Sequence, residues 1–223
     1  MGNLDYKLCY GNKLPHIQPP GALLFVTYRL AGTIPQAKMW ELIAERQIWE
    51  QKITGLADPL QAGLRRQEME DVLFKKWDAV LDMACDGPLW LREPTVAQIV
   101  VDSLHYLDGD FYDLDCFCVM SNHVHAIFKP LQEKDGGYVA LPRIMHSLKG
   151  FTAVTANRIL GREGQFWQHG SYDHFVRDES ELARLRLYVL NNPVKAGLVE
   201  VAEDWPWSYA RWWVADLENQ PTA

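Results

Sequence analysis

The chain has 223 residues, 48% of them hydrophobic, and a formal net charge of −7. That length supports one substantial core with room for an insertion. The acidity excludes a protein that coats nucleic acid by charge alone, and no apolar run is long enough to cross a bilayer as a helix.

Residues 1–22 are rich in Pro, Gly and Asn and read as an irregular N-terminal arm. They lack the charged-then-apolar order of a secretory signal, so a cytoplasmic location is expected. "ALLFVTYRL" (22–30) is branched and aromatic and predicts a strand. Residues 36–53 place Met39, Leu42, Ile43 and Trp49 at helical spacing, and a second helix is expected from about Leu60 to Met83. "PTVAQIVVDSLHYL" (94–107) predicts a third helix opened by Pro94. "DCFCVM" (115–120) and "HVHAIFKP" (123–130) predict two strands joined by Ser121 and Asn122. Residues 141–160 read as a long helix and 165–176 as an aromatic-rich extended segment. The last helix is capped by Asp178 or Ser180, runs to about Leu190 and is stopped by Pro193. The tail, 200–223, holds several Trp and is expected to pack.

The order strand, helices, strand, strand, helix, strand, helix predicts an α+β fold. It matches a ferredoxin-like, split β-α-β antiparallel sheet with helices packed on it. The expectation is a single domain over residues 1–223, with a helical insertion at about 45–90 before the second strand. Cys9, Cys85, Cys116 and Cys118 form no C-x-x-C pair, so they read as small buried hydrophobes rather than a zinc or disulfide framework.

Two groups of residues carry chemistry. His123 and His125 lie at i and i+2 of one strand, so both imidazoles project from the same face. A lone buried histidine is ordinarily satisfied by a backbone carbonyl. Two side by side suit a shared divalent ion, since neutral imidazole is a common metal ligand. Tyr188 and Asn192 stand four residues apart near the end of the last helix and would share a face if it persists that far. Alone, they would read as a core aromatic and a helix C-terminal residue. Tyr172 and Tyr209 have no ligand-type residue one turn onward. Between 141 and 197 the charge balance reverses, eight Lys and Arg against five Asp and Glu. Within this stretch Lys149, Arg158, Arg162 and Arg177 supply cations, and Phe166 and Trp167 offer faces for base stacking, against a plain reading as solvated charges and core aromatics.

Several stretches, in this order, resemble the HUH single-tyrosine transposases, in particular their REP-associated branch. They are "LPHIQPPGALLFVTYRLAGTIP", "VMSNHVHAIF", "IMHSLKGFTAVTANRI", "FWQHGSYDHFVRDESEL", "YVLNNPVKAGLV" and "DWPWS", together covering about residues 14–209. The resemblance implies an enzyme that binds hairpin-containing single-stranded DNA at repetitive elements, cleaves it and rejoins it. It implies Tyr188 as a nucleophile forming a 5′-phosphotyrosine, and His123, His125 and Asn192 as ligands of Mg²⁺ or Mn²⁺. Lys149, Arg158, Arg162, Trp167 and Arg177 become the expected DNA contacts. Both monomers and homodimers occur among such proteins, so the tyrosine could act on the histidines of its own chain or of a partner. Two features depart from the pattern: the long acidic insertion and the acidic total. The alternative is a domesticated hairpin-binding protein that does not cut.

Overall fold

The computed structural model describes residues 7–8, 15–16, 19–83 and 87–213. The chain divides into two compact units, one from residues 1–31 and 89–223, the other from 32–88.

The first unit is built on a sheet. Within the arm expected to be irregular, two short strands, β1 (Lys7–Leu8) and β2 (Pro15–His16), pair antiparallel. The main sheet contains β3 (Leu24–Arg29), β4 (Tyr112–Val119), β5 (His123–Pro130), β6 (Tyr172–Phe175) and β7 (Ser208–Ala210). Their order is β6-β3-β5-β4-β7, every pairing is antiparallel, and β5 is central. The α+β antiparallel architecture read from the sequence is therefore the architecture of this unit. β7 has no clear strand signature in the sequence. It forms because the "DWPWS" segment runs along β4: Val119 N donates to Trp207 O at 2.9 Å, and Trp205 Nε1 donates to Val119 O at 3.0 Å.

Strand side chains alternate between faces. On one face Leu24, Val26, Tyr28, Leu114, Phe117, Val124, Ala126 and Phe128 form the main core with helices α3 (Pro94–Tyr106) and α4 (Leu141–Ile159). These helices contribute Val96, Val100, Leu104, Ile144 and Leu148. The other face carries Phe25, Thr27, Arg29, Cys116, Cys118, His123, His125 and Ile127, by alternation and by register. Helix α5 (Glu179–Leu190) packs against β4 and β5, and its Tyr188 meets Phe25 and His125 on this second face. Asp178 caps α5, accepting from Glu181 N at 2.9 Å. After the C-cap Asn191 comes a short helix, α6 (Asn192–Lys195). Pro193 sits in its first turn, where its missing N–H breaks no bond.

The second strand starts at Tyr112 rather than at 115 because Tyr112 and Leu114 are core residues, while Asp113 between them faces solvent. In the aromatic segment only Tyr172–Phe175 is a strand, and Trp167 forms an isolated bridge to Leu30.

The second unit pairs α1 (Gln36–Thr54) with α2 (Pro59–Met83). Arg46–Glu70 and Lys76–Glu45 contacts run in opposite chain directions, so the helices are antiparallel. Ile53, Met69 and Leu73 form a small core backed by Trp49 and Ala62. Among the described residues, no helix is long and apolar enough to cross a membrane.

Candidate active site

His123 and His125 lie at the start of the central strand and are 1% and 0% exposed. Their Nε2 atoms are 2.9 Å apart. Two nitrogens bound to one ion at about 2.1 Å in adjacent octahedral positions would stand ~3.0 Å apart. Both outer nitrogens are engaged. His123 Nδ1 is 2.6 Å from Asn122 Oδ1, and His125 Nδ1 is 2.7 Å from Thr27 Oγ1. An amide oxygen can only accept, so His123 carries its proton on Nδ1. If Thr27 accepts likewise, both Nε2 lone pairs converge on one point. This is how outer hydrogen bonds orient metal-binding imidazoles.

Tyr188 of α5 packs beside His125. Its ring centroid is 5.3 Å from that of His125, and it lies edge-on to Phe25 at 6.0 Å. Its hydroxyl oxygen is buried. A residue 63 positions away in the chain thus meets His125 within one molecule.

Asn192 is 1% exposed, and both its Oδ1 and Nδ2 are buried without a hydrogen-bond partner among the described residues. A buried amide left unmatched costs about 1–3 kcal/mol. Native structures keep such groups mostly where a ligand or water completes them. The backbone stays helical across the α5–α6 junction, with Asn191 N donating to Leu187 O and Lys195 N to Asn191 O, both at 2.9 Å. The donor set expected from the resemblance, two imidazoles and an amide oxygen, is of a kind that suits a divalent ion keeping open positions for phosphate and water.

Other groups on this face are constrained. Arg29 pairs with His123 across the ladder. Burial pulls its guanidinium down to about 10, which leaves it a cation at neutral pH. Cys118 lies opposite His125. Burial pushes its thiol up to about 12, so it stays protonated, and its Sγ is 3.5 Å from Met120 Sδ.

Of the expected DNA contacts, four are tied into the fold. Trp167 is 5% exposed, its indole N–H donates to Thr152 Oγ1 at 2.8 Å, and its ring meets Tyr28 at 4.8 Å. It is a core side chain with no free face for a base, and the stacking role expected of it and of Phe166, 1% exposed, is corrected accordingly. Lys149 donates to the carbonyls of Gln168, at 3.0 Å, and Gly170, strapping α4 to that segment. Arg162 bonds Asn157 Oδ1 and stacks 3.6 Å over Trp90. Arg177 grips Glu181 with Nε at 2.9 Å, with Nη2 and with its backbone N–H at 2.8 Å. Burial alone would raise the Glu181 carboxyl, but the Arg177 bonds, joined by His174, hold it at about 2. Arg158, on the last turn of α4, is exposed. Of the competing tyrosines, Tyr172 in β6 shares this face: it pairs with Thr27 and meets Phe25 edge-on at 6.2 Å, whereas Tyr209 packs against His105 and Phe117 on the other.

Sequence reasoning missed Thr27 and Asn122. Asn122 was legible as the polar neighbour of His123. Thr27 was not, because 98 residues separate it from His125.

No family model matches the chain. A curated relative, a putative REP-associated tyrosine transposase from Haemophilus influenzae, is 33% identical over 105 residues. The match covers 44% of this chain and only 58% of that relative's length. A solved REP-associated tyrosine transposase bound to a REP hairpin covers 95% of this chain and 89% of its own, with a TM-score of 0.52 at 14% identity. At that identity the likeness is one of fold. The resemblance read from the motifs thus has a counterpart in each comparison: the chain is similar to REP-associated tyrosine transposases, in sequence over part of its length and in fold over nearly all of it.

Proposed function

We propose that the protein is a member of the REP-associated tyrosine transposases and cleaves and rejoins single-stranded DNA beside a hairpin, with Tyr188 as nucleophile. His123, His125 and Asn192 would hold Mg²⁺ or Mn²⁺. When bound, the ion would act as a Lewis acid on an oxygen of the scissile phosphodiester. Tyr188 attacks phosphorus: a bond from its phenolic oxygen to phosphorus replaces the bond to the 3′ oxygen. The phenol's proton ends on the released 3′ hydroxyl. One phosphodiester is exchanged for another, so rejoining is the reverse step and needs no nucleotide triphosphate. Asn122 and Thr27 orient the imidazoles, and the exposed Arg158 would meet a DNA phosphate.

The observation that carries this reading is the 5.3 Å approach of the Tyr188 and His125 rings within one chain. It favours action as a monomer, with the tyrosine serving its own histidines. The likeness to a hairpin-bound transposase supports the class of DNA.

The test is a labelled single-stranded oligonucleotide carrying a hairpin, incubated with the protein and Mn²⁺ or Mg²⁺ and run on a denaturing gel. A covalent protein–DNA band is expected, lost in Tyr188→Phe and in EDTA. Binding on a native gel with no covalent band in either metal would instead identify a hairpin-binding protein that does not cut.

A further inference from the structure

A bulge interrupts β4: Leu114 pairs with Phe128 and Cys116 with Ile127, leaving Asp115 as the extra residue. Leu114 and Phe117 both belong to the α3–α4 core. Strict alternation would put them on opposite faces, and the bulge resets the count. The residue this inserts is used. Arg186 of α5 donates from Nε to Asp115 Oδ2 at 2.9 Å and from Nη2 to Oδ1, a two-pronged contact. The carboxylate side chain is 13% exposed, and the guanidinium lies 4.7 Å over the Trp212 ring.

Arg186 stands two residues before Tyr188, about 200° around a helix of 3.6 residues per turn. The two side chains therefore leave opposite flanks of α5. One is held by β4, while the other rests on Phe25 of β3 and His125 of β5. Two anchors on opposite flanks fix what a packed apolar helix leaves soft, its rotation about its own axis.

We propose that the Asp115–Arg186 pair is a positioning device that sets the roll of α5 and so the line of attack of the Tyr188 hydroxyl. This rests on Tyr188 being the nucleophile. The phenolic oxygen lies roughly 9 Å from the helix axis, given Cα atoms at about 2.3 Å and the reach of the side chain. A roll of roughly 10° then moves it about 1.5 Å. Misplacing a reacting group by ~1 Å can cost about 100-fold in rate. Neither residue touches DNA or ion in this account; both act through the tyrosine.

The test measures single-turnover formation of the covalent adduct by the full chain with the hairpin oligonucleotide and Mn²⁺, over a range of DNA concentrations. Arg186→Met and Asp115→Asn should lower the saturating rate about 10–100-fold, with the half-saturating DNA concentration within about twofold of the unmodified protein's. Arg186→Lys keeps the charge without the fork and should fall between. The double variant should be no slower than the slower single, because both break one contact. Circular dichroism melts fix an assay temperature at which every variant is folded. Saturating rates within twofold of the unmodified chain would overturn the proposal. So would equal losses of rate and DNA affinity, or a double variant slowed by the product of the singles. If the unmodified chain forms no adduct, the nucleophile assignment and the clamp's purpose fall together, a result distinct from variants that match an active parent.

Discussion

Asn192→Leu separates a ligand from a misplaced core residue by the sign of its effect. In the folded chain the amide is 1% exposed and neither polar atom has a hydrogen-bond partner among the described residues. Leucine is close in size and leaves nothing unsatisfied. Without metal, the substitution removes a desolvation cost of about 1–3 kcal/mol and should stabilise the protein by that order. For a chain of this length that corresponds to a rise of roughly 2–12 °C in Tm. With metal the order reverses. An ion binding the native state at 100 times its Kd contributes about 2.7 kcal/mol. The unmodified protein should gain that increment from Mn²⁺, and Asn192→Leu should gain little. The assay is a thermal melt of both proteins in EDTA and across a Mn²⁺ titration. A variant less stable than its parent in EDTA, or one with an undiminished Mn²⁺ response, would refute the reading of Asn192 as a ligand kept in place at a cost to folding.

Thr27→Val removes the oxygen 2.7 Å from His125 Nδ1 and should weaken Mn²⁺ binding about 10–100-fold, read by titrating the electron paramagnetic resonance signal of free Mn²⁺. Trp167→Phe breaks the bond to Thr152 and leaves a gap, so it should cost about 1–3 kcal/mol in denaturant unfolding while hairpin affinity on a native gel stays within twofold. Glu181 is held at about 2 when folded against an ordinary 4.5, so its ionised form favours the native state. That contribution, up to about 3 kcal/mol, is complete above pH 4.5 and lost as pH falls toward 2. Glu181→Gln should flatten the stability–pH curve in that window, as measured by urea unfolding at successive pH values.

What the sequence determined by itself was whatever repeats locally. The period of two in "HVHAIF" put His123 and His125 on one face. The branched run at 24–29, the helical spacing at 94–106 and 141–159, and the cap at Asp178 gave the elements and their order. Each follows from backbone geometry over a few residues and needs no partner. The motifs in sequence order also carried the family resemblance. Only the tertiary structure decided which side chains lie side by side. Thr27 against His125, Asp115 under Arg186 and the tail strand along β4 join residues 71 to 98 positions apart, or depend on one inserted bulge residue. Trp167 shows the same limit from the other side: its composition fits a stacking platform, but Tyr28 and Thr152 bury it. Burial and partnership belong to the neighbours a residue acquires when the sheet closes. Local sequence prescribes the strands that carry their own pattern, and the packing of their faces chooses those neighbours.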